Sequence, residues 1–115
     1  MNELIEKLYN EIYSPKVHPE DLINNATLPN YTSVNFESNL TGLLVITKCT
    51  LTNGENAEYK YQFDKDKRLL TLIGNVNGKN HVIFDREKEI ALKYKEIIKI
   101  LELREEAVWW NNKSV

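Results

Sequence analysis

The chain has 115 residues, of which 42% are hydrophobic and 28% charged, with a net charge of -2. That is enough for one domain and not comfortably for two. Four glycines and three prolines exclude collagen-like and low-complexity readings, and no apolar run reaches the ~18 residues that a membrane span requires.

The first residues, Met1-Asn2-Glu3-Leu4-Ile5-Glu6, lack the basic start and apolar core of a signal peptide. A single cysteine, Cys49, forms no internal disulfide, so the expected compartment is the cytoplasm. Asn occurs fourteen times, and with abundant Lys, Ile and Tyr this points to an AT-rich bacterial or phage genome, such as a mobile element. Charge is unevenly placed. Residues 1–58 hold three bases and eight acids; residues 59–115 hold twelve bases and nine acids. A chain polarised in this way suits docking against a partner of matching pattern.

Residues 1–14 predict a short amphipathic helix. Asn2 serves as its N-cap, Glu3 and Glu6 lie in its first turn, and Ile5, Leu8, Tyr9 and Ile12 fall on one stripe. Ser14-Pro15 ends it, because the residue before proline is pushed out of the helical region. Residues 15–30 read as a connection, with Pro19 opening a single helical turn pinned by Leu22 and Ile23.

From 31 to 84 the signals are those of strands. Tyr31 to Glu37 is a candidate fifth strand, and Leu40 to Thr52, rich in Val, Ile, Leu and Thr, is the strongest one. Asn53-Gly54 and Asn77-Gly78 predict tight hairpins, since both residue types tolerate positive φ. Glu58 to Asp64 alternates, with Tyr59, Tyr61 and Phe63 on one side. Arg68 to Val76 and Lys79 to Phe84 follow, separated from their neighbours by short turns that force antiparallel pairing.

Residues 85–110 predict a long helix capped by Asp85 and stopped by Asn111-Asn112. Ile90, Tyr94, Ile97, Ile98, Leu101 and Val108 lie on one face. Leu92, Ile100, Leu103, Ala107 and Trp110 form a second stripe. The expected fold is therefore α+β: one domain with a four- or five-stranded antiparallel meander, an N-terminal helix, and the long C-terminal helix on one sheet face.

Chemistry has few candidates. His18 and His81 lack an adjacent nucleophile, and Cys49 sits mid-strand with Lys48 pointing the other way, which suits a small buried hydrophobe. Asp64, Asp66, Asp85, Glu87 and Glu89 are interleaved with bases and match no calcium loop. Paired metal-ligand spacings and a glycine-rich phosphate loop are missing. The expectation is a non-enzymatic module that needs no cofactor or metal.

Two surfaces could bind. The first is the apolar set Leu92, Ile100, Leu103, Trp109 and Trp110. Adjacent tryptophans on a helix point ~100° apart, so one of them is left for a partner. This predicts a small protein-binding or regulatory module, meeting either another protein or a second copy as a homodimer. The alternative is a nucleic-acid surface on which Tyr59 and Tyr61 stack bases while Lys60, Lys65, Lys67 and Arg68 meet phosphates. The acidic balance disfavours it, and the core face under the C-terminal helix is the more natural place for the aromatic row, since alternation with charged residues needs no further assumption there.

Overall fold

The computed structural model describes residues 2–113, with side chains through Arg104. Its elements are α1 (Asn2–Tyr13), α2 (Pro19–Asn25), β1 (Tyr31–Ser38), β2 (Gly42–Thr50), β3 (Asn56–Asp64), β4 (Leu69–Val76), β5 (Lys79–Asp85) and α3 (Arg86–Lys113). The five strands form one antiparallel sheet in sequence order, so the meander stands and residues 31–38 do supply the fifth strand.

The chain groups into two compact units. One is the sheet with its preceding connection, residues 14–86; the other joins α1 to residues 87–115.

In the sheet unit, residues paired across antiparallel strands share a face. Val45 pairs with Tyr61, Thr47 with Tyr59, Cys49 with Ala57, and Leu43 with Phe63. The fully buried strand side chains, Val45, Thr47, Cys49, Ala57, Phe63 and Leu69, all belong to this one face. The other face carries Leu44, Ile46 and Lys48 of β2 opposite Gln62, Lys60 and Glu58 of β3, none of them buried. Leu22 of α2 completes the core cluster with Val45, Phe63 and Leu69, and Val17 packs beside it. Burying each such side chain contributes roughly 1.5–3 kcal/mol, which is why the polar 14–30 connection is held in place.

Several expected boundaries move. The first turn of α2 extends to a second, through Asn25, after Pro19 has preset its opening φ and Asp21 has accepted a hydrogen bond from the His18 N–H at 3.3 Å. Strand β2 begins at Gly42, not Leu40. Leu40 is 97% exposed at the tip of a turn in which the Gly42 N–H donates to Asn39 Oδ1 at 2.9 Å. Asn77-Gly78 is the expected two-residue hairpin, with φ of +52° and +83°. Asn53-Gly54 is not. Only Gly54 takes positive φ, at +85°, and the loop runs over residues 51–55, closed by the Leu51 N–H donating to the Glu55 carbonyl at 2.8 Å. Asn-Gly specifies a two-residue turn only where the flanking register admits one, and here Thr50 pairs with Asn56. Helix α3 also runs past Asn111-Asn112 to Lys113. Asn is a modest helix former rather than a breaker, and neither Gly nor Pro follows it.

At the join of β5 and α3 lies a residue with no sequence-level signal. Arg86 is only 4% exposed. Its guanidinium donates from Nε to the Leu69 carbonyl at 2.7 Å and from Nη2 to the Ser14 carbonyl, and it lies over the Phe84 ring at 5.7 Å from the centroid. One planar cation thus ties the start of the connection, the start of β4 and the end of β5 together.

Candidate interaction surface

Helices α1 and α3 are built from residues with ample apolar content, yet among their described side chains, residues 2–13 and 87–104, none is buried. On α1, Leu4, Leu8 and Ile12 form the half-buried row at i, i+4 spacing. Ile5, Tyr9 and Tyr13 form a second row that is exposed, with the Tyr9 and Tyr13 rings 4.6 Å apart. This second row was readable as a separate i, i+4 series. The single stripe expected from Ile5, Leu8, Tyr9 and Ile12 merges the two.

On α3, Ile90, Ile97 and Ile100 are half-buried. Leu92 is 52% exposed and Leu103 57%, and Tyr94, Ile98 and Leu101 are exposed as well. Of the expected interaction set, Leu92, Ile100 and Leu103 are therefore accessible to different degrees. Trp109 and Trp110 belong to the part of α3 whose side chains lie outside the described residues.

The alternative set is scattered. Tyr61 packs against the core and stacks on Phe63, with ring centroids 6.4 Å apart and planes 7° from parallel. Burial raises the Tyr61 hydroxyl above its ordinary value, aided by neighbouring Tyr31, Tyr59 and Cys49. Tyr59, half-buried, shares this face, whereas Lys60 lies on the opposite one. Lys67 pairs with Glu20 at 2.7 Å and Arg68 with Asp64 at 2.8 Å. Lys65 is exposed in the turn after β3. The geometry does not bring these six residues onto one surface.

Asp64 organises that turn. Its Oδ1 accepts hydrogen bonds from the backbone N–H groups of Asp66 and Arg68, each at 2.9 Å. Its Oδ2 accepts from Arg68 Nε at 2.8 Å. Desolvation pushes the carboxyl pKa up, but these bonds and the Arg68 charge together outweigh it and hold the group below its ordinary value. Asp64 is thus a turn-building residue, while Asp85 ends β5 and Glu87 and Glu89 lie in the first turn of α3; among the described residues no group of three His, Cys, Asp or Glu could hold a metal ion.

A cleft of 450 Å³ opens at one end of the sheet between the β2–β3 and β4–β5 hairpins, lined by Lys48, Cys49, Glu58, Asn75 and Asn77 among others. Cys49 is buried there. His18, just before α2, and His81, on β5, are both exposed. Among the described residues, no helix is long and apolar enough to cross a membrane. No protein-family model, curated protein or solved structure matches the chain.

Proposed function

We propose that this chain is a small non-enzymatic protein-binding module, with α1 and α3 as its binding surface. One observation carries the reading: a helical unit rich in Leu, Ile and Tyr buries none of its described side chains. Large contiguous apolar surface on a globular chain marks an interaction site. A two-helix unit with no buried side chain among its described residues gains stability chiefly from what packs against it. The lone buried cysteine and the composition support a cytoplasmic module of bacterial or phage origin.

The test is a photo-crosslinking residue placed at Leu103, with Lys60 on the sheet as the control position, in cells of the source. Adducts with protein, whether with other chains or with the chain itself, should form from position 103 and not from position 60. Equal labelling from both, or none from 103, would overturn the reading.

A further inference from the structure

We infer that Asn53, in the loop between β2 and β3, is a site of spontaneous deamidation in the folded protein, and that Asn77, in the second Asn-Gly pair, is protected by its turn. Both pairs carry the same local chemistry. Glycine has no side chain, so its nitrogen can approach the amide carbon of the preceding asparagine. That nitrogen gives up its proton and bonds to Asn Cγ; the Cγ–Nδ2 bond breaks, and ammonia leaves with the proton. Water then opens the five-membered imide at one of its two carbonyls, leaving an aspartyl or an isoaspartyl residue. Water is the only co-reactant, and nothing is oxidised or reduced. The product adds one negative charge to a chain whose net charge is -2.

Both glycine nitrogens are engaged in the fold. The Gly54 N–H donates to the Leu51 carbonyl at 2.9 Å, and the Gly78 N–H to Asn75 Oδ1 at 3.0 Å. The nucleophile must be released in either case, so the difference lies with the asparagines. Asn53 Oδ1 accepts a hydrogen bond from the Glu55 N–H at 3.0 Å. This bond spans the Gly54 peptide and folds the side-chain amide along the group that must attack it. It also draws charge onto Oδ1, which makes Cγ the better electrophile and supports the oxyanion of the addition step. The bonds that close the loop use Leu51, Gly54 and Glu55 and do not hold the main chain of Asn53.

Asn77 is arranged the other way. Its φ is +52°. In the left-handed conformation, where ψ is typically about +47°, Cβ lies nearly opposite the following nitrogen about the Cα–C bond. The Asn77 N–H donates to the Asn56 carbonyl at 3.3 Å, and Val76 and Lys79 pair on either side of the turn. Asn77 Cγ therefore reaches the Gly78 nitrogen only when the hairpin opens.

The test is to incubate the full chain at mildly alkaline pH, folded and in urea, and to map its peptides by mass spectrometry. In the folded protein Asn53 should convert faster than Asn77 by about tenfold or more, because Asn77 reacts only through local opening. In urea the two rates should fall within about threefold of each other, since the turns that separate them are gone. Asn53→Gln sets the amide one methylene further away and should remove the acidic form that isoelectric focusing resolves; Asn77→Gln should leave it. Equal rates in the folded state, a faster Asn77, or a folded protein in which neither reacts while both react in urea would overturn the inference. An acidic form that persists in Asn53→Gln would place the reaction elsewhere and overturn it too.

Discussion

Thr47 is fully buried, at 0% exposure, and its Oγ1 has no hydrogen-bond partner. A buried hydroxyl left unpaired costs its desolvation without return. Valine has the same shape and no such group. Thr47→Val should therefore raise stability by about 1–2 kcal/mol, read as a higher urea midpoint at unchanged slope. Asp64 is the opposite case, a well-partnered charge whose side chain is 15% exposed. Asp64→Asn should cost about 1–2 kcal/mol at neutral pH, because it removes a charge-assisted bond to Arg68. The sign with pH follows from the lowered carboxyl. Its stabilisation is fully present above the unfolded value near 3.8 and is lost as pH falls through the lower folded value. Urea midpoints of wild type and variant should converge in strong acid; a gap that persists there would mean the charge is not its source.

Among the elements, those with a strict local pattern were legible and those shaped by packing were not. The alternation of Tyr59, Tyr61 and Phe63 against Lys60 and Gln62 reads directly onto two faces of β3, and Cys49 falls on the buried side as its parity implies. Asn77-Gly78 fixes its hairpin because both residues take the left-handed conformation that the turn demands. The start of β2 was not legible. Leu40 and Thr41 have strand-like chemistry, but the strand begins only at Gly42, where φ is +154° and a Cβ would lie 2.5 Å from the Asp64 carbonyl carbon. That close approach of two backbones is a tertiary fact, and a glycine two residues after a Leu gives no warning of it. Gly42→Ala must move the β2–β3 pairing at this end, at a cost of about 3 kcal/mol or more. Thermal unfolding of the variant measures it, and a loss below about 1 kcal/mol would show that the β3 end yields freely. Arg86 was invisible for a similar reason. Nothing in Asp85-Arg86-Glu87 distinguishes a buried arginine from a surface one until the carbonyls of Ser14 and Leu69 converge on it.

At the scale of the whole molecule, stability is unevenly divided. The sheet unit holds every buried hydrophobic side chain among the described residues, and each of its five strands is hydrogen-bonded to the next. The described parts of α1 and of α3 beyond Arg86 hold none. Amide exchange is slowest where backbone hydrogen bonds are covered by packed side chains and fastest where opening exposes little new apolar surface. The amides of β2 and β3 should therefore exchange only through global unfolding, while those of α1 and the second half of α3 exchange through local opening. Anything that binds the folded helices adds to their protection by mass action. If the partner is a second copy, dilution through the dimer dissociation constant should speed exchange in α3 and leave β2 and β3 unchanged. For a tenfold dilution from well above that constant, protection in α3 falls by up to about threefold, or roughly 0.7 kcal/mol, because the monomer fraction rises as the square root of the dilution. Exchange followed by mass spectrometry at two protein concentrations separates the cases. Concentration-independent protection across α3 would place the stabilising contacts within the chain, and a concentration dependence in β2 and β3 would move the interface to the sheet.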